Sequence, residues 1–256
     1  MYIIKLGGSV ITDKNKPLSV DNETIKKIGK ALAGHKDMIL VHGGGSFGHP
    51  LAKKYSLTSG YLDGKSVEGY SLTQHAMQKL NYIIVGALIE CGLNAVSCQT
   101  SAVTLMEEGK IMSMSLSPVE NMMELGLAPV MYGDVVTDQS KKRLGIASGD
   151  MIIEYLTRKM CVQKVFFISD TNGIYTVDPK KDPKAKLIPL ITKKNIEEVK
   201  KALGGSSGID VTGGMVHKVE HILKMTQRGI TVEILKPENL SKALSGKPHE
   251  STVIAW

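Results

Sequence analysis

The sequence predicts an α/β fold, a doubly wound domain built on a mainly parallel sheet, and three observations carry that prediction. Short β-branched apolar runs alternate with amphipathic helical patterns from end to end. Several of those runs stop at glycine-rich or small-residue turns, as Gly7-Gly8-Ser9, Gly43-Gly44-Gly45 and Ser148-Gly149-Asp150 do. No linker or internal repeat interrupts the alternation. Strand, helix, strand implies parallel neighbours joined by crossovers. A chain of 256 residues with 42% hydrophobic content is long enough to bury a sizeable core and is not disordered.

Tyr2 to Leu6 reads as the first strand, with Lys5 before its glycine turn and Lys14 after it. A helix is expected from about Asp21, its N-cap, to Leu32, with a stop at Gly34. Met38 to Val41 is the second strand, and the run from His42 to His49 opens a helix whose free N–H groups suit an anion. A polar segment with Gly60, Gly64 and Gly69 leads into a long apolar helix closed by Gly92. Asn94 to Cys98 reads as a buried strand, Val103 to Ser113 as a hairpin around Glu107-Glu108-Gly109-Lys110, and Ser117-Pro118 as the start of a helix ending at Gly126. Ala128 to Tyr132 returns as a strand, Val135 to Leu144 as a hairpin, and Ser148-Gly149-Asp150 introduces another helix. Val162 to Ser169 is the best candidate for a central strand, with Asp170 at its C-terminal end. Beyond it come a turn at Thr171 to Tyr175, a charged loop at Asp178 to Pro183 and a helix near Asn195 to Leu203. A glycine-rich stretch at 204–208, expected to be mobile, a helix carrying Lys218, and strands at Ile230 to Leu235 and Thr252 to Ala255 complete the chain.

A net charge of +7 suits anionic partners, but the lysines are dispersed and aromatics make up only 5%. That balance favours phosphorylated small molecules over nucleic acid, which would call for a basic stripe with stacking residues. Three cysteines without metal-like spacing fit a reducing cytoplasm rather than a disulfide framework. The first apolar run is too short for a signal peptide, and no stretch reaches the roughly 18 apolar residues of a membrane span.

Open α/β sheets bind ligands outside the carboxyl ends of their strands, and the polar glycine-flanked clusters fall at such ends. Lysines, aspartates and N–H-rich turns gather there, with no serine elbow for hydrolysis and no Walker or protein-kinase loop. Phosphoryl transfer needs mostly positioning and positive charge, which this set supplies.

Lys5-Leu-Gly-Gly-Ser9, the glycine run ending at His49, Ser148-Gly-Asp150, Ser169-Asp-Thr-Asn-Gly-Ile-Tyr175 and Asp210-Val-Thr-Gly-Gly-Met-Val-His-Lys218 stand in the order seen in the amino acid kinase superfamily. Within it the chain most resembles the isopentenyl phosphate kinase family, from Met1 to near the C-terminus. The resemblance implies a three-layer α/β/α sandwich, one domain over 1–256 with an acceptor-binding lobe over about 1–160 and a nucleotide-binding lobe over about 161–256. It implies ATP with Mg²⁺, a prenyl phosphate as acceptor, and a cytoplasmic homodimer. Carried over by position, Lys5, Gly7, Gly8, Ser9, Gly45, Asp170, Tyr175, Gly214 and Lys218 would contact ATP. Gly44, Gly45, Gly48, His49 and Gly149 would hold the acceptor phosphate. Lys14 would stabilise the transferring phosphoryl group and Asp150 would orient the lysines, so Lys5, Lys14, His49, Asp150 and Lys218 form the expected catalytic set. Asn172 is a departure, since aspartate is common in such turns.

His49 narrows the acceptor. A phosphate-bearing acceptor is already nucleophilic and needs a donor that aligns its oxygens, which histidine supplies. Amino-acid acceptors would instead need groups for an α-amino and a carboxylate. Two readings stay open, a prenyl phosphate or another small phosphate or phosphonate of the fosfomycin type, with a non-catalytic nucleotide sensor as a third. The prenyl tail is expected against the long helix at Met77, Ile83 and Ile84, whereas His42, His75 and His217 read as structural.

Overall fold

The computed structural model describes residues 1–13, 16–199 and 214–256, with the backbone alone for 214–218. The strands are β1 (Tyr2–Leu6), β2 (Met38–His42), β3 (Ala95–Ser97), β4 (Thr104–Glu107), β5 (Lys110–Met114), β6 (Ala128–Tyr132), β7 (Asp134–Thr137), β8 (Leu144–Ala147), β9 (Lys164–Ile168), β10 (Leu190–Ile191), β11 (Thr231–Leu235) and β12 (Thr252–Ile254). The helices used below are α1 (Gly8–Ile11), α2 (Asn22–Leu32), α3 (Gly45–Lys54), α4 (Gly64–Glu90), α5 (Thr100–Val103), α6 (Ser117–Glu124), α7 (Gly149–Lys159) and α8 (Gly214–Thr226).

Eight strands form one sheet in the order β10-β12-β11-β9-β1-β2-β6-β3. Every pairing in it is parallel except β11 with β12. Burial on both faces explains why β2, β6 and β9 are almost wholly apolar. Successive residues of β1 feed opposite cores. Ile3 joins Ile152, Leu156 and Ile222 from α7 and α8, whereas Ile4 and Leu6 join Ile28, Leu32, Leu80 and Ile84 from α2 and α4. Two helical layers thus flank one sheet, giving the expected α/β/α sandwich.

Local chemistry sets the boundaries. Asp21 caps α2 by accepting from Thr24 N at 2.9 Å, and Ser148 caps α7 by accepting from Met151 N at 3.3 Å. The β4–β5 turn has two positive φ angles, 50° at Glu108 and 74° at Gly109, the geometry that suits a tight hairpin. Three expectations are adjusted. The segment after His49 is largely helical, since α3 runs to Lys54 and Asp63 starts α4 with a capping box. Asn94 to Cys98 supplies an edge strand rather than a buried one. The expected helix near Asn195 to Leu203 is helical over 196–199, and its remainder, with the glycine-rich stretch at 204–208, lies outside the described residues.

A buried charge cluster ties the C-terminal strands to the sheet. Glu233 of β11 is 1% exposed and bonds Lys164 Nζ and His249 Nε2, each at 2.5 Å. Burial pushes its carboxyl up, but hydrogen bonds from Lys164, Ser251 and His249 outweigh this and hold it below the ordinary glutamate value. A depressed folded value means stability present above the unfolded pKa and lost as pH falls through the folded one. Glu233→Ala is expected to cost about 3 kcal/mol in urea unfolding at pH 7, because it leaves the partly buried Lys164 ammonium and the His249 ring without their acceptor. The cost should shrink below pH 4.

Candidate active site

The carboxyl ends of β1, β2 and β9 lie side by side, and the chain leaves each through glycine or a small residue. After β1, Gly7 bonds back to Ile168 O at 3.1 Å and α1 begins at Gly8. After β2, Gly43 donates to Leu6 O at 3.0 Å, Gly44 is the N-cap of α3 and Gly45 is its first residue.

These two loops touch backbone to backbone. A methyl group added at Gly8 would lie 2.5 Å from Gly45 N, and one added at Gly43 would lie 2.9 Å from Gly8 N. Gly45 has φ +46°, and a methyl there would fall 2.1 Å from Thr12 Oγ1. Only residues without side chains permit this approach. Thr12 locks the contact, donating to Gly8 O at 2.7 Å and accepting from Ser46 N at 3.0 Å. Phe47 N and Gly48 N bond to Gly44 O, so the Gly44 and Gly45 amides are those the helix itself does not use.

Charge is arranged around the paired loops. Lys5, on β1, forms an ion pair with Asp150 in the first turn of α7, and its ammonium stands 5.3 Å above the Phe167 ring. Gly149 packs closely on Lys5, with a would-be methyl 3.4 Å from Lys5 Cε. His49, exposed on α3, lays its ring edge against the glycine run, Cδ2 being 3.5 Å from the position of a methyl at Gly44. Gly48 faces Met77 of α4 so tightly that a methyl would come within 2.7 Å of its sulfur. Its bareness therefore serves helix packing below the cradle.

A cleft of about 670 Å³ opens beside α1, lined by Ser9, Thr12, Asp13, Ser19, Asp170 and Lys180 among others. Asp170 follows β9 and pairs with Lys180 Nζ at 2.5 Å. The turn from Thr171 to Tyr175 is pinned to β12 because Thr252 Oγ1 accepts from Ile174 N at 2.8 Å. Asn172 serves that scaffold, donating to Glu250 Oε2 at 2.6 Å and accepting from Asn239 Nδ2 at 3.0 Å. An aspartate would set two carboxylates together there, which accounts for the departure noted in the sequence.

Lys5, Gly7, Gly8, Ser9, Gly44, Gly45, Gly48, His49, Gly149, Asp150 and Asp170 therefore gather at one end of the sheet, with Tyr175 at the close of the adjoining turn. Gly214 begins α8 and Lys218 lies within it, but the Lys218 side chain, like Lys14, lies outside the described residues. The long helix faces the glycine run through Met77, which shares one apolar cluster with Ile84, Ile28, Leu32 and Leu93, and Ile83 packs against that cluster. Sequence reasoning missed Thr12, which joins the loops, and Lys180, which faces Asp170. A hydroxyl four residues after a phosphate-loop glycine was a usable signal for the first; the second comes from a distant loop.

The profile of the amino acid kinase family matches residues 1–236. The isopentenyl phosphate kinase of Methanothermobacter thermautotrophicus is 35% identical over 266 residues, covering 99% of this chain and 98% of that protein. The chain belongs to the isopentenyl phosphate kinase branch of the amino acid kinase family. An X-ray structure of isopentenyl phosphate kinase superposes with a TM-score of 0.84 at 32% identity and full coverage of both chains. The product complex of the Thermoplasma acidophilum isopentenyl phosphate kinase gives 0.81 at 31% identity, covering 99% of each.

Because the two glycine loops meet without side chains, Gly45→Ala is expected to reduce turnover by about 100-fold or more, the strained φ and the Thr12 clash forcing the loops apart. Steady-state kinetics with circular dichroism to confirm folding checks this, and near-normal turnover would show that the contact is dispensable.

Proposed function

We propose that this chain transfers the γ-phosphoryl group of ATP to isopentenyl phosphate, giving isopentenyl diphosphate for isoprenoid synthesis. The interlock of Gly8 with Gly45 carries the reading, because it brings two phosphate-binding turns together within one backbone contact. The likeness to isopentenyl phosphate kinases, substrate and product complexes included, supports this acceptor over a phosphonate.

In this reading residues 1–160 form the acceptor lobe and 161–256 the nucleotide lobe. ATP lies over Gly7, Gly8, Ser9 and Gly45, with Asp170, Tyr175, Gly214 and Lys218 on its far side. Mg²⁺ would reach the site with the substrate, carried on the ATP phosphates. The acceptor phosphate rests on Gly44, Gly45 and Gly149 and takes a hydrogen bond from His49, which aligns one oxygen with the γ-phosphorus. An ionised phosphate needs no general base. Charge developing on the transferring group is met by Lys5, held in place by Asp150, and by Lys14. One ammonium about 4 Å from a phosphate oxygen contributes about 4 kcal/mol at an effective dielectric of about 20, before desolvation is counted. The prenyl tail lies beyond Gly48 against Met77 and the apolar cluster of Leu57, Val135 and Leu144, with Tyr70 and Ile146 at its edge.

We place the enzyme in the cytoplasm as a homodimer. Its cysteines are unpaired among the described residues, none of the described helices is long and apolar enough to cross a membrane, and the outer face of α4 exposes Tyr82 and Ile89 two turns apart.

An ADP-release screen with isopentenyl phosphate, dimethylallyl phosphate, fosfomycin, acetylglutamate, aspartate and UMP tests the acceptor. Turnover is expected with the prenyl phosphates, and turnover confined to any of the others overturns the assignment. His49→Ala should raise the acceptor KM about tenfold or more while the ATP KM stays within about twofold, the pattern of a lost acceptor contact. Lys14→Ala should lower kcat by about 100-fold with little change in nucleotide affinity; a pure KM effect contradicts transition-state stabilisation.

A further inference from the structure

His42 ends β2 and is fully buried, beneath the glycine run rather than in the cleft. Its two ring nitrogens meet partners of opposite kind. Nδ1 lies 3.0 Å from Gly43 O, which can only accept. Nε2 lies 3.2 Å from Asn81 Nδ2, an amide nitrogen that also donates to Val130 O at 3.3 Å. The ring is therefore a neutral imidazole with its proton on Nδ1. Burial pushes its pKa down to about 4, and the Tyr132 ring stacked at 5.2 Å offers no countercharge. Asn81 is itself 1% exposed on the buried face of α4, where its amide nitrogen has both His42 and Val130 O as partners.

That geometry reaches the site through one peptide plane. In a trans peptide the C=O and N–H point in opposite directions, so a Gly43 carbonyl held down on the buried imidazole turns the Gly44 N–H away from the core. The preceding peptide is anchored as well, because His42 O accepts from Gly133 N and Gly43 N donates to Leu6 O, each at 3.0 Å. Three consecutive glycines have almost no intrinsic barrier to turning such a peptide over, so the orientation has to come from outside the run.

We infer that His42, oriented by Asn81, is a positioning residue that fixes the Gly43–Gly44 peptide so that the Gly44 N–H faces the acceptor phosphate. The inference rests on the reading of Gly44 as an acceptor contact. It gives a role in the reaction to a histidine that the sequence places among structural ones.

His42→Phe keeps a ring against Tyr132 but removes the donor, whereas His42→Asn keeps a donor near the place of Nδ1. His42→Phe is expected to raise the KM for isopentenyl phosphate about tenfold or more with the ATP KM within about twofold, and His42→Asn to recover most of that loss. Equal losses in the two variants, or parallel rises in both KM values, overturn the inference. Independently of any substrate, ¹⁵N shifts of the His42 ring in the unsubstituted protein should report the Nδ1–H tautomer, and an Nε2–H tautomer overturns it too. Should His42→Phe not fold, Asn81→Leu takes its place, with the same acceptor-selective rise expected and its absence counting against the inference. An error in the acceptor itself shows separately, as no ADP released with isopentenyl phosphate by the unsubstituted enzyme.

Discussion

Where β1 and β2 end, two backbones approach more closely than any side chain would allow, and the architecture around the site follows from that contact. Gly8 and Gly45 touch because β1 and β2 are parallel neighbours in register, Leu6 opposite His42, so their exits leave the sheet at the same level. Thr12 then fastens one loop to the other by accepting from Ser46 N and donating to Gly8 O. In the proposed transfer, donor and acceptor phosphates have to come within reaction distance, and two bare turns in contact would supply that closeness without crowding.

Around this contact each neighbour has a defined mechanical part. The parallel register of β1 with β9 brings Asp170 and the cleft beside α1 to the same rim, and the α7 N-terminus delivers Asp150 to Lys5. Below the rim, His42, Asn81 and Met77 form the support on which the glycine run lies. A flexible glycine segment gains fixed N–H directions only because rigid buried groups hold its carbonyls. The arrangement pre-orients dipoles for a highly charged transfer, where reorganisation during the reaction would be costly.

Much of this was legible in the chain. Alternating strand and helix patterns pointed to the doubly wound α/β domain, and Asp21, Ser148 and Gly126 marked helix ends through chemistry that acts within a few residues. Glycine turns after apolar runs marked the ligand rim, since a sheet of parallel strands has its exits on one edge. Helical periodicity tells which side of α4 is apolar but not how far along that side the site extends, since α4 is 27 residues long.

The sequence by itself determined the fold class, the phosphate chemistry and the residue types at the rim, because these depend on local periodicity, on turn chemistry and on motifs in a fixed order. Tertiary structure alone decided which residues meet: Gly8 with Gly45, Lys5 with Asp150 across 145 positions, Lys180 with Asp170, and His42 with Asn81. It also decided that Asn172 braces the C-terminal strands and that Met77 of α4 packs on Gly48. Those outcomes hang on strand register and on the depth at which a helix crosses the sheet, which arise from packing of the whole chain and leave no local trace in the order of its residues.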